Sequence, residues 1–151
     1  MSSVRLYYLL LDEADSATYE IDKPIAQELE SQWMAELPAE KQASLQRLID
    51  QRNRDVSLIA QRLLKHSVAD EGIEEFQLKD ICYASTAKPY WPGKNKKFLD
   101  FNISHSGRVI IVAASQGVEL GVDVEKNRPL KNLSFKMVLS DDELEMTKKT
   151  P

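Results

Sequence analysis

Hydrophobic positions along the 151-residue chain change their period near Ile81, and that change orders the expected elements. Val4 to Leu11 reads as a short buried strand, aromatic in the middle and stopped by Asp12-Glu13. A helix is expected from Pro24, a residue suited to the first helical position, with Ile25, Leu29, Trp33 and Leu37 on one face. A second helical stretch follows Pro38 through Leu45, Leu48 and Ile49. The third, from about Asn53 to Val68, is the clearest, because Val56, Ile59, Leu63 and Leu64 recur at helical spacing among charged neighbours. These stripes are read as core packing.

After Ile81 the pattern turns to strands: Ile81 to Ser85, Phe98 to Ile103, Arg108 to Ser115 and Val118 to Glu125. Gly107 and Ser115-Gln116-Gly117 supply turns, so the last three strands are expected to form an antiparallel meander. Lys88-Pro89-Tyr90-Trp91-Pro92-Gly93 forms a rigid loop leading into them. Beyond Pro129 the pattern is helical again, and Ser140-Asp141-Asp142-Glu143 is a capping-box signature for a helix with few residues left before Pro151. The sequence therefore reads as cut short. Helices first and a small sheet afterwards give an α+β class.

Composition narrows the field. The chain is 42% hydrophobic and 29% charged, with a formal charge of −4, so it has no global positive field to attract nucleic acid or an anionic membrane. An anionic substrate would need a local cluster of Lys, Arg or His. The single cysteine, Cys82, allows no internal disulfide and reads as a small core residue. The apolar run at Leu6 is too short to span a bilayer and lacks a signal-peptide pattern, so a cytoplasmic protein is expected.

Three groups offer chemistry. Asp123 and Glu125, two apart in Gly121-Val122-Asp123-Val124-Glu125, would share one side of a strand about 6.6 Å apart, with Val122 and Val124 turned inward. Two hard oxygen donors suit Mg²⁺; the spacing alone suits better the charged outer face of an edge strand. Ser104-His105-Ser106-Gly107 places an imidazole between two hydroxyls at a turn, a cradle for phosphate or plain turn chemistry. Adjacent strand residues point apart, which argues against a Ser–His nucleophile. Lys88, Lys94, Lys96 and Lys97 put positive charge near the same sheet end, whereas His66 belongs to a helix C-terminal turn.

Read in order, Lys88-Pro89-Tyr90, Phe101-Asn102-Ile103-Ser104-His105-Ser106-Gly107 and Gly121-Val122-Asp123-Val124-Glu125 resemble the motifs of the Sfp-type 4'-phosphopantetheinyl transferase family. Arg54 to Leu64 resembles the helix that precedes them. The resemblance implies a transferase that moves the 4'-phosphopantetheine arm of coenzyme A to a serine of an acyl, peptidyl or aryl carrier protein. It implies Asp123 and Glu125 as Mg²⁺ ligands, and Asp123, Glu125 and His105 as the catalytic set. Coenzyme A phosphates would be held by Lys88, Ser104, His105 and Lys41. It also implies two pseudo-symmetric halves, with residues 1–117 as the amino-terminal one and 118–151 as an incomplete start of the other.

Two departures accompany it. The family's Trp-x-x-Lys-Glu motif would fall beyond Pro151, and a coenzyme-binding arginine is replaced by Val56, with Arg54 close by. The alternative is a truncated, catalytically silent relative that binds coenzyme A or a carrier protein. An apolar face or unpaired edge at Val118 to Glu125 would favour a homodimer. No nucleic acid or membrane partner is expected.

Overall fold

The computed structural model describes residues 4–11, 25–83, 88–93, 99–127, 140 and 142. Strand β1 spans Val4–Leu10, followed by α1 at Gln27–Ala35, α2 at Ala39–Gln46 and α3 at Gln51–Asp70. After a 3-10 turn at Leu78–Asp80 come β2, Leu99–Ser106, and β3, Val109–Gln116. The three helices lie with a small antiparallel sheet in the order β1-β3-β2, the expected α+β arrangement.

Helix α3 begins two residues before the Asn53 expected from periodicity because Asp50 caps it, its side chain accepting from Arg52 N at 2.9 Å. Helix α2 starts directly after Pro38, as expected, but ends at Gln46 and leaves Ile49 wholly exposed in the link to α3. Pro24, the proposed start of the first helix, lies outside the described residues, and α1 begins at Gln27. Trp33 and Leu37 pack inward, whereas Leu29 is exposed.

Leu58, Leu64 and Val68 of α3 are fully buried against the sheet's inner face, where Phe101, Val112 and Ala114 meet them. Phe76 sets its ring edge-on to Trp91 and Phe101, closing the floor of this core. Arg5 pairs with Glu71 and the Tyr7 hydroxyl donates to Asp70, tying β1 to the end of α3. His66 sits there too, 3.9 Å from Asp70 and edge-on to Tyr7, away from the chemistry discussed below.

β2 and β3 form the expected hairpin, with Ser106 opposite Val109 across Gly107-Arg108. Gly107 has φ +60°, the left-handed conformation that two-residue hairpin loops need at their first position. Two strand expectations are corrected. Ile81 to Ser85 contributes only an isolated bridge between Cys82 and Tyr90 among the described residues, with Cys82 half-buried. Val118 to Glu125 forms no ladder strand and does not complete a meander; β1 takes the free side of β3 instead.

The physical reason lies in β2. Its outward side chains Asp100, Asn102, Ser104 and Ser106 accept from the backbone N–H groups of Leu120, Val122, Val124 and Lys126, at 2.7, 2.7, 3.1 and 2.9 Å. The constant offset of 20 residues means that the segment runs parallel to β2, advancing at strand pitch over its outer face. Side-chain oxygens have replaced the backbone partners of a ladder. The capping-box helix lies outside the described residues except for Ser140 and a helical Asp142.

Candidate active site

β2 carries chemistry on both faces because its residues alternate. Inward from the strand, His105 stands at the rim of a cavity of about 210 Å³. Lys41 from α2, Ser57 and Gln61 from α3, and Tyr83 contribute its polar wall, with Phe101 and Ile103 beneath. Lys41 Nζ lies 5.6 Å from the Tyr83 ring centre, within cation–π range. The Tyr83 hydroxyl donates to Gln61 Oε1 at 3.2 Å. Burial pushes the Tyr83 phenol up to about 12, with the Gln61 bond opposing the shift, so it enters neutral chemistry only as a hydrogen-bonding group.

The cavity brings two basic groups together. Burial lowers the Lys41 pKa, and no carboxylate pairs with this ammonium among the described residues. Partial burial, and then the Lys41 charge, hold the His105 imidazole below its ordinary value. Burial alone disfavours the Lys41 charge, and partial burial together with Lys41 disfavours an imidazolium at His105. A phosphate group placed between them would favour both charges, binding to Lys41 and drawing a proton onto His105.

The outer face holds the carboxylates. Ser104 Oγ donates to Asp123 Oδ1 at 2.7 Å, and Ser106 Oγ donates to Glu125 Oε1 at 3.2 Å. Asp123 and Glu125 are exposed, while Val122 and Val124 are half-buried, the alternation expected from the sequence. The pair fits a Mg²⁺ ion that takes one or two carboxylates and completes its shell with water and substrate phosphate. Among the described residues no group of three His, Cys, Asp or Glu converges, so no all-protein cage is present there.

The six expected residues therefore fall into two groups. Lys41 and His105 share the inner cavity. Ser104, Asp123 and Glu125 share the outer face. Lys88 joins the outer group, its Nζ donating to Asp100 Oδ2 and to the Leu120 carbonyl at 2.6 Å each. It anchors the start of the carboxylate segment rather than lying with His105. Lys94, Lys96 and Lys97 lie outside the described residues. Arg54 does not stand in for the arginine missing at Val56. It pairs with Glu30, donates to the Leu48 carbonyl and bonds Gln51, while Val56 is buried. Sequence reading missed Ser57, Gln61 and Tyr83, which meet only in three dimensions, and the acceptors Asp100 and Asn102. The alternating polar residues of β2 were the visible signal for the last two.

Comparison with known proteins gives the lineage of this arrangement. Residues 23–117 match the family described as 4'-phosphopantetheinyl transferase, N-terminal. The chain belongs to the 4'-phosphopantetheinyl transferase family. A 4'-phosphopantetheinyl transferase of Bacillus subtilis is 30% identical over 110 residues, 72% of this chain and 47% of the relative. The 4'-phosphopantetheinyl transferase Sfp of Bacillus subtilis strain 168 is 28% identical over 114 residues, 73% of this chain and 48% of the relative. The chain thus matches about half the length of these phosphopantetheinyl transferases, and His105, on β2, lies within the matched family region.

Proposed function

We propose that this chain carries the coenzyme A and metal half of a transferase that moves 4'-phosphopantetheine from coenzyme A to a serine of an acyl, peptidyl or aryl carrier protein. The observation that carries this reading is β2 itself, which faces the Lys41–His105 cavity on one side and a serine-held carboxylate pair on the other. Membership of the phosphopantetheinyl transferase family supports it over a silent binding relative. The division at residue 117, where the family match ends, is part of the same proposal. So is residence in the cytoplasm; no described helix is long and apolar enough to cross a membrane.

In the reaction, the carrier serine hydroxyl gives up its proton to solvent, its oxygen bonds to the phosphorus bearing pantetheine, and the bond from that phosphorus to the bridging oxygen breaks. The products are holo-carrier protein and 3',5'-ADP. Lys41 and His105 bind and orient phosphate oxygens by charge and hydrogen bonding. Ser104 and Lys88 lie at the outer edge of the same strand, where the pyrophosphate is proposed to pass. Asp123 and Glu125 would hold Mg²⁺, and a metal bound there would supply charge neutralisation for the pyrophosphate and the leaving oxygen.

Binding of coenzyme A by this chain should strengthen as pH falls from 8 toward 6. His105 is held neutral in the free protein by burial and by Lys41, so bound phosphate must raise its pKa and binding takes up a proton. Calorimetry in two buffers of different ionisation enthalpy reads that proton directly. Affinity that is flat with pH, and heat independent of buffer, would contradict the placement of His105.

A homodimer is also proposed, through β1 rather than through Val118 to Glu125, whose alternate N–H groups are taken by β2. Val4, Leu6, Tyr8 and Leu10 are 53, 57, 67 and 52% exposed along one edge strand, an apolar face that a second copy would cover. Sedimentation is expected to show a dimer that Leu6→Glu disperses. A concentration-independent monomer of the unmodified chain would remove the proposal.

A further inference from the structure

The four rungs that bind the carboxylate segment to β2 are not equivalent, and the difference indicates what they do. At Asp100 and Asn102 a side-chain oxygen receives one backbone N–H from the segment. At Ser104 and Ser106 the rung is double: the hydroxyl oxygen receives the N–H of Val124 or Lys126, and the hydroxyl proton goes to the carboxylate one residue earlier. A serine hydroxyl has one proton, so each rung fixes both the backbone and the rotamer of the neighbouring carboxylate. Bonds from a hydroxyl to an ionised carboxylate are among the stronger hydrogen bonds.

We propose that Asn102 and Ser106 are positioning residues for the Asp123–Glu125 pair, holding the carboxylates toward one shared cation. The inference rests on the reading of Asp123 and Glu125 as metal ligands. Two exposed like charges two residues apart would otherwise turn away from each other into water. Asn102 fixes Val122, the residue before Asp123, and so sets the register of the segment on β2. Ser106 fixes Lys126 and aims Glu125, closing the pair from its other end. Loss of either rung leaves both ligands in the chain and frees their geometry. Outer-shell hydrogen bonds of this kind are worth about 10–100-fold in metal affinity.

The test is titration of Mn²⁺, followed by electron paramagnetic resonance, on this chain with coenzyme A present. Amide hydrogen exchange on the same samples reads the ladder without reference to metal or activity. In the unmodified protein the amides of Leu120, Val122, Val124 and Lys126 should be protected relative to Gly121 and Asp123. Asn102→Ala should lose protection at Val122.

Both Asn102→Ala and Ser106→Ala should bind Mn²⁺ about 10–100-fold more weakly. Ser106→Thr, which keeps the hydroxyl, should restore affinity to near that of the unmodified chain. Should Ser106→Ala not fold, Asn102→Ala decides. If Asp123→Ala abolishes Mn²⁺ binding while the Asn102 and Ser106 variants titrate like the unmodified protein, the positioning role is wrong and the metal reading stands. If the unmodified chain binds no Mn²⁺, or Asp123→Ala binds it equally well, the metal reading falls and this inference with it.

Discussion

Asp123→Asn is expected to lower Mg²⁺-dependent phosphopantetheinyl transfer by at least about a hundredfold, with the fold intact. Asparagine keeps an oxygen where Ser104 Oγ donates to Asp123 Oδ1, so the rung to β2 survives. What disappears is a negative charge and a hard anionic ligand. Metal-assisted charge stabilisation contributes several kcal/mol to reactions of this kind, and each 1.36 kcal/mol is about tenfold in rate. Asp123→Ala removes ligand and rung together and should be no more active. Coenzyme A binding measured without metal should change little in either variant, because Lys41 and His105 lie on the other face of β2. Rates at saturating Mg²⁺, compared with the circular dichroism melt of each variant, check the prediction. An Asp123→Asn protein with near-normal, still Mg²⁺-dependent turnover would show that this carboxylate holds no catalytic metal.

Lys41→Met should weaken coenzyme A binding by roughly 10–100-fold and yet raise thermal stability. A hydrogen bond to a charged group contributes about 1.5–3 kcal/mol, and 1.4 kcal/mol is tenfold in affinity. The gain in stability follows from the same observation that suggests the binding role. Burial lowers the Lys41 pKa, so the folded protein holds this charge less readily than the unfolded chain does. Methionine fills the space of the lysine stem without the ammonium. In the unmodified protein the unfolded state therefore holds more protons in the window just below pH 10.5, and stability should rise with pH there. Lys41→Met should flatten that rise. A variant that binds coenzyme A normally, or melts lower than the unmodified chain, would count against a desolvated phosphate-binding lysine. Such a conflict between binding and stability is common at functional sites.

Local features of the fold were readable along the sequence. The apolar spacing from Val56 to Leu64 identified α3, and Gly107 identified the hairpin between β2 and β3. Pairing between distant segments was not readable. β1 joins β3 across more than half the chain, and nothing in either strand names its partner. Neighbouring strands were therefore joined in a meander that the chain does not make.

The reading of Val118 to Glu125 succeeded in its period and failed in its partner. Asp123 and Glu125 do face outward between half-buried valines. The segment nevertheless takes its hydrogen bonds from side chains, an option that strand periodicity does not encode. Asp100, Asn102, Ser104 and Ser106 occupy every second position of β2, and this polar alternation marked a strand face able to accept a neighbour's N–H groups.

The site was legible where one motif carried it and hidden where elements converged. Ser104 and His105 are adjacent in sequence but serve opposite faces, as alternation requires. Tyr83 and Gln61 meet Lys41 only after α2, α3 and the chain following the 3-10 turn have packed. Lys88 was grouped with His105 through the motif it belongs to, and in the fold its ammonium donates to Asp100 and the Leu120 carbonyl.

Intact-mass spectrometry of apo carrier proteins reads out whether β2 presents coenzyme A and metal groups for phosphopantetheinyl transfer. The protein is incubated with coenzyme A, Mg²⁺ and a panel of acyl, peptidyl and aryl carriers. A mass gain of one phosphopantetheinyl group is expected on at least one carrier, lost when Mg²⁺ is removed and when Asp123 is changed to asparagine. No gain on any carrier, from a chain that is folded and binds coenzyme A, would contradict this reading and leave the silent binding relative as the better description.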